Sequence, residues 1–317
     1  MAHGKQIAGY RVLARIGEGA ASELYAVQHP RTKQVWALKH VEKRSERDQR
    51  FLDQVQQEYR IGSKLDHPSI RAIHKLIKHR RRFKVCATSL VMELVDGAAL
   101  DKRPLASHRE AVDIFFQVAR GLAHMHGRGF IHADMKPGNV LVTEGHKVKV
   151  IDLGQACAIG TVKKRIQGTP GYMAPEQAHR QAITPKTDIY NFGATMYWVL
   201  VRQVVPTALP PKDEGSSLYS GTLDARLLEP PTPPHVIDPQ IHPLLSKQIM
   251  DCVQIHPDDR PETMELVANR LELIGDLLET PLATNPAPAA DGKDASRKPR
   301  SDAEKGKRRS DKGPKPS

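Results

Sequence analysis

Apolar and polar positions alternate in short stretches at the start of this chain and change to helical spacing further on. Strand-like runs lie around Tyr10 to Ile16 and Leu24 to Gln28, with a third at Val35-Trp36-Ala37-Leu38-Lys39. From Arg50 to Leu65 the apolar positions Phe51, Val55, Tyr59, Gly62 and Leu65 recur at helical spacing, which predicts an amphipathic helix. Asp66-His67-Pro68 closes it. Val85 to Val91 is apolar enough for a buried strand. Ser107 to His126 reads as a helix with Ser107 and Glu110 as a capping box. Val112, Phe115, Ala119, Leu122 and Met125 form its inner stripe. Ile241 to Val253 and Pro261 to Leu278 read as the last two helices, with Pro261 in a first helical turn. Between them and the middle of the chain, Pro206 to Pro239 is proline-rich and predicts extended loop around one short helix.

One polar residue breaks the helical stripe. Glu58 lies on the apolar face, three after Val55 and four before Gly62. A carboxylate facing inward is costly unless paired. Lys39, which ends the third strand, reads by itself as a surface lysine.

A second concentration of chemistry follows the Ser107 helix. The run Ile131-His132-Ala133-Asp134-Met135-Lys136-Pro137-Gly138-Asn139-Val140-Leu141-Val142 precedes Ile151-Asp152-Leu153-Gly154. It puts a carboxylate, a lysine and an asparagine in one loop, then a second carboxylate ahead of a glycine. Phosphoryl transfer from a nucleotide uses such a set. Asp134 is a candidate acceptor for a hydroxyl proton, and Lys136 offsets charge on the transferring group. Asn139 and Asp152 are hard oxygen ligands for magnesium.

These residues resemble the protein kinase superfamily, whose loops read H-R-D-x-K-x-x-N and D-F-G; this chain has Ala133 and Leu153 at the variable places. Ile16-Gly17-Glu18-Gly19-Ala20-Ala21-Ser22-Glu23-Leu24 is similar to the family's glycine-rich loop, G-x-G-x-x-G-x-V, with Ser22 for the third glycine and Leu24 for valine. Gly168-Thr169-Pro170-Gly171-Tyr172-Met173-Ala174-Pro175-Glu176 resembles the substrate-docking end of the activation segment in bacterial, Hanks-type Ser/Thr kinases.

The resemblance implies an α+β, bilobal fold over 7–277. A small antiparallel β lobe with one helix spans 7–92, and a larger, mainly helical lobe spans 97–277. It implies ATP and magnesium as cofactors and Ser/Thr hydroxyls of proteins as substrates, with autophosphorylation. Lys39 and Glu58 would pair, with Lys39 on the nucleotide phosphates. Ile16, Gly17, Glu18, Gly19, Ala20, Ala21, Ser22 and Leu24 would cover the nucleotide. Ala37 and Leu141 would pack on the adenine, Met92 would be the gatekeeper, and the backbone of Glu93 and Val95 would bond the base. Thr169 would bond Asp134 and Lys136, Glu176 would pair with Arg260, and Asp188 would anchor the catalytic loop. A pseudokinase that binds or scaffolds is the alternative, and the presence of Lys39, Glu58, Asp134, Lys136, Asn139 and Asp152 weighs against it.

Composition adds compartment and charge. The 317 residues are 39% apolar, with no stretch long enough for a transmembrane helix. Met1 to Gln6 carries no apolar signal core. Cys86, Cys157 and Cys252 are scattered. Cytoplasmic residence is the expectation. Net charge is +12. From about Pro281 large apolar residues disappear after Leu282, so 281–317 reads as a disordered basic tail. Within it, 285–317 holds ten basic and five acidic residues. This tail, and Lys78-His79-Arg80-Arg81-Arg82 in an expected loop, are candidate contacts for an acidic or polyanionic partner. No aromatic interleaving points to specific nucleic acid.

Overall fold

The computed structural model describes residues 5–19, 21–206 and 229–279. Ala20, most of Pro206 to Pro239 and the 281–317 tail lie outside them. The described residues belong to one compact unit.

The first part is a six-stranded antiparallel sheet. Its strands are β1 (Gln6–Ile7), β2 (Tyr10–Gly19), β3 (Ser22–Gln28), β4 (Val35–Glu42), β5 (Ile73–Arg81) and β6 (Lys84–Met92), in the order β1-β2-β3-β4-β6-β5. Between β4 and β5 runs α1 (Gln49–Gly62). Period-two alternation divides β4 between two faces. Leu38 packs with Tyr10, Tyr25, Val27 and Val91 on one side. Ala37 and Val41 pack with Leu52 and Val55 of α1 on the other. Lys39 shares the parity of Ala37 and Val41, so the pleat alone turns it toward α1.

The inward face of α1 consists of Leu52, Val55, Glu58, Ile61 and Gly62. Leu52 and Ile61 are fully buried, whereas the expected Phe51 and Tyr59 are only half-buried. The stripe is rotated from expectation because α1 packs on the sheet and, through Ile61, on the large lobe as well. Gly62 permits that approach: a Cβ there would lie 2.2 Å from Ile73 Cδ1.

The second part is mainly helical. It contains β7 (Ala98–Ala99), α2 (His108–Gly127), β8 (Phe130–Ile131), β9 (Val140–Val142), β10 (Val148–Val150), β11 (Cys157–Ala158) and β12 (Thr161–Val162). Then follow α3 (Pro175–Ala178), β13 (Ala182–Ile183), α4 (Pro185–Val201), α5 (Pro234–Ile237), α6 (Pro243–Cys252) and α7 (Met264–Glu279). Phe115 of α2 and Phe192 of α4 meet edge to face, 5.4 Å between centroids, and both are fully buried. Each such side chain contributes roughly 1.5–3 kcal/mol of burial. The β9–β10 hairpin, joined by β7, carries the loop from Asp134 to Asp152 on this core.

Several local expectations are corrected. The basic run Lys78 to Arg82 is not a loop: β5 extends to Arg81, and the turn is tight, with φ of 47° at Arg82 and 70° at Phe83. Positive φ at both central residues matches the twist of paired strands. The last helix starts at Met264 and not at Pro261, because Thr263 Oγ1 accepts from Leu266 N at 3.1 Å and caps it. The helix before it runs only from Pro243 to Cys252, with His242 Nδ1 accepting from Leu244 N. The Ser107 capping box is half formed. Ser107 Oγ accepts from Glu110 N, but the Glu110 carboxylate accepts from Ala106 N and pairs with Arg103. The short helix expected in the proline-rich stretch is α5.

Candidate active site

Lys39 and Glu58 meet at the sheet–helix interface, Nζ to Oε2 2.8 Å. Glu58 is 2% exposed. Burial pushes its carboxyl up, and the short contact with Lys39 works against that push. Lys39 Nζ also lies 3.3 Å from Asp152 Oδ1. Burial disfavours charge on Lys39, but the two carboxylates outweigh it and hold the ammonium protonated. At Asp152 burial again opposes charge, and Lys39 with His132 overcomes it, so the carboxyl lies below its usual range.

The loop from His132 to Asn139 is fixed from below. Asp188, fully buried in α4, accepts from His132 N and Ala133 N at 2.8 Å each and from His126 Nε2 at 2.9 Å. Asn139 Nδ2 donates to Asp134 O at 2.8 Å. Thr169 Oγ1 donates to Asp134 Oδ1 at 2.9 Å and accepts from Lys136 Nζ at 3.0 Å. A hydroxyl oxygen therefore already sits between a carboxylate and an ammonium. Ala133 and Asp152 both adopt left-handed backbone, φ 61° and 62°. For residues with a Cβ this costs on the order of 1 kcal/mol each. Nothing in the sequence signalled it.

Below the loop, Glu176 of α3 and Arg260 form a two-pronged pair at 2.8 and 3.0 Å. Gln177 Nε2 donates to Ala133 O at 2.8 Å and so ties α3 to the loop. Asn191 Nδ2 reaches Gln177 Oε1. Gln177 and Asn191 are joining residues that sequence reasoning left without a role.

The strands that meet the glycine-rich turn differ from expectation. β2 continues through Gly17 and Gly19, which pair with Leu24 and Ser22 of β3. Neither glycine uses positive φ, so the expected benefit of left-handed freedom is not what they provide. Ile16 is half exposed, and Glu18 pairs with Arg15 at 2.6 Å. Ala21 lies in the turn, and Ser22 and Leu24 follow on the returning strand. Ala37 is buried on β4, and Leu141 lies on β9. Met92 ends β6, opposite Ala37. Glu93 N donates to Ala72 O at 2.9 Å, which leaves its carbonyl, and not its N–H, for a base. Val95 lies on the link between the two parts.

The Asn139 amide and the Asp152 carboxylate are a hard-oxygen donor pair, which suits magnesium. Asn139 keeps its amide oxygen for such an ion, because the Asp134 carbonyl takes its nitrogen.

The model for the protein kinase domain matches residues 10–271. The chain belongs to the protein kinase domain family. The sheet with one helix and the helical part are thus the two lobes of a kinase fold. Among curated proteins, the serine/threonine-protein kinase PknA of Mycobacterium tuberculosis is 31% identical over 196 residues, 59% of this chain and 46% of PknA. PknL of the same species is 29% identical over 288 residues, 88% of this chain and 69% of PknL. The matched segment spans about half the length of PknA.

Proposed function

We propose that this chain is a serine/threonine protein kinase, acting on Ser or Thr hydroxyls of proteins, its own included. The catalytic unit is 7–277. The contact of Thr169 with both Asp134 and Lys136 carries the reading: a hydroxyl held between a carboxylate and an ammonium supports roles for the two in receiving an acceptor hydroxyl. Asp134 accepts the proton as the hydroxyl attacks, and Lys136 offsets charge on the transferring group. Lys39, aimed by Glu58, meets the α- and β-phosphates. Asn139 and Asp152 would hold magnesium. When bound, Mg-ATP supplies the phosphoryl group and the ion that neutralises it. The turn from Ile16 through Gly17, Glu18, Gly19, Ala20, Ala21 and Ser22 to Leu24 covers the nucleotide. Ala37 and Leu141 sandwich its base, with the Glu93 carbonyl and the Val95 backbone at its edge.

The three free thiols suit a reducing compartment such as the cytoplasm. Among the described residues no helix is long and apolar enough to cross a membrane. The excess of basic residues over 285–317, densest at Lys305-Gly306-Lys307-Arg308-Arg309, favours an acidic or polyanionic partner.

The test is incubation of the purified chain and a protein substrate with Mg-ATP, followed by mass spectrometry. Phosphoserine or phosphothreonine is expected. Asp134→Asn is expected to lower turnover by about 10²- to 10⁴-fold while nucleotide affinity survives. Asp152→Ala is expected to lose both. Near-wild-type transfer by Asp134→Asn would falsify the role of Asp134. Nucleotide binding without transfer by the wild type would leave the scaffold reading.

A further inference from the structure

The β5–β6 hairpin carries a concentration of charge that phosphoryl transfer does not use. Residues 67–92 hold seven Lys or Arg and no Asp or Glu. Lys75, Lys78, Arg80, Arg81, Arg82 and Lys84 are exposed, and none of these side chains forms an ion pair with a described residue. β5 is an edge strand of the sheet, so its cations make an open strip. Arg81 stands directly opposite Lys84 in the ladder. Like charges in that register destabilise a sheet, so the hairpin keeps them against its own stability.

The turn adds an apolar tip. Phe83 is 95% exposed, more than any other large apolar side chain among the described residues. Arg82 and Phe83 fill the two turn positions with φ of 47° and 70°. Left-handed backbone strains a residue with a Cβ, and Gly or Asn is the usual choice there. Two large side chains are held at the end of the hairpin all the same, the ring with cations on both sides. β6 is nine residues long and ends at Met92, so the tip stands roughly 26 Å from the Met92 end at strand spacing. A surface that meets the tip leaves that end of the sheet open.

The chemistry of the tip selects its partner. A second copy of the same edge would be repelled by its like charge. A single ring offers a strand of bases no stacking platform. An anionic bilayer accepts both parts: the ring enters the acyl boundary, and the guanidinium and ammonium groups stay with the lipid phosphates.

We propose that the β5–β6 tip docks on an anionic phospholipid surface, with Phe83 inserted and Arg80, Arg81, Arg82 and Lys84 on the lipid phosphates. This goes beyond the kinase reading and does not depend on phosphoryl transfer.

Cosedimentation of the full chain with vesicles tests it. Vesicles of phosphatidylcholine and phosphatidylglycerol in equal parts are expected to bind the chain, and pure phosphatidylcholine vesicles are not. Phe83→Ala and the Arg81→Gln/Arg82→Gln double variant are each expected to weaken binding about tenfold or more. Both alter exposed side chains, so the fold is kept. Added salt is expected to weaken the wild type more than the arginine variant. Phe83→Trp keeps an aromatic tip and is expected to bind as the wild type does. Its emission beyond that of Trp36 and Trp198 is expected to shift to the blue on the mixed vesicles and to stay unshifted with duplex DNA. Vesicle binding unchanged by Phe83→Ala, or by the double arginine variant, would overturn the proposal. So would emission of the Phe83→Trp chain that does not move on the mixed vesicles. Binding to duplex DNA that is tighter than to vesicles, and lost in the same variants, would assign the tip to nucleic acid instead.

Discussion

Two arginines of the kinase fold, Arg260 buried and Arg71 half-buried, are treated very differently. Arg260 spends all of its donors. Nε donates to Gln254 O, Nη1 to Glu176 Oε1 and Lys186 O, and Nη2 to Glu176 Oε2 and Ile255 O, all within 3.0 Å. Its guanidinium also lies over the Tyr190 ring. Arg71 has a sulfur for one donor and nothing for another. The planar fork of Arg260 meets the planar carboxylate of Glu176 in a fixed geometry. Arg71 instead meets its neighbours at less than full satisfaction. A saturated network has one arrangement, whereas an unsaturated one can be redistributed when a ligand arrives. The fold here holds the Glu176 side of the site with the first and the side around Arg71 with the second.

The comparison breaks most directly at Glu176. Glu176→Ala leaves a fully buried guanidinium without its counter-charge, which typically costs about 3–5 kcal/mol. Denaturant unfolding of the large lobe is the measurement. Arg71→Met removes a donor that already lacks a partner, so its cost in the same assay is expected to stay below about 1 kcal/mol. Equal losses would mean that the two sites are equally structural.

Acid sharpens the contrast. Asp188 is fully buried. Burial works to raise its pKa, but His126 and the N–H groups of the catalytic loop outweigh burial and hold the carboxyl below its usual range. The folded state therefore binds this proton more weakly than the unfolded chain does. The stability that Asp188 contributes is present above about pH 4 and fades as pH falls through the folded value. Glu58 carries the opposite sign: with its pKa raised, its contribution fades as pH rises. Unfolding midpoints measured from pH 6 down to 3 are expected to fall, and Asp188→Asn is expected to flatten the fall while lowering stability throughout. A slope unchanged in Asp188→Asn would assign the acid sensitivity elsewhere.

What the sequence disclosed follows the same division. Glu58 could be singled out in advance because a period of 3.6 in α1 aims it inward and an inward charge needs a partner; that the partner is Lys39 came through resemblance. Asp188 and Glu176 were legible only through resemblance, since no local pattern says which distant N–H or arginine they meet. Arg71 was not legible at all. In Ser69-Ile70-Arg71-Ala72-Ile73 it looks like an exposed residue at a strand start. Only the crossing of chain segments around Val150 and Met92 half-buries it and closes off its Nε. The left-handed backbone at Ala133 and Asp152 escaped notice for a related reason: neither is glycine, and the surrounding hydrogen bonds impose the conformation. The hairpin at Arg82-Phe83 was missed because its turn residues carry none of the usual glycine or asparagine signal.

The smallest expected effect lies in the segment that joins the two sites. Many kinases hold this segment through a phosphate paired with an arginine before the catalytic aspartate. Here that position is Ala133, buried, with its N–H on Asp188 and its carbonyl on Gln177. The saturated side thus already grips the segment, through Gln177, Thr169 and the β12–β13 pairing of Thr161 with Ile183. Thr161 Oγ1 donates to Ala158 O at 2.7 Å, a local bond that ends within the segment. Lys163, Lys164 and Arg165 beside it offer cations to a phosphate, but none of them bridges to residue 133. Thr161→Ala is therefore expected to keep at least about a fifth of the peptide-kinase activity, since a single exposed hydrogen bond is worth about 1 kcal/mol. The measurement is kcat/KM for a peptide, with the phosphorylation state of Thr161 read by mass spectrometry. A loss of about 100-fold, about 2.7 kcal/mol of transition-state stabilisation, would mean that a phosphate on Thr161 organises the segment and that the anchors on the Arg260 side do not suffice.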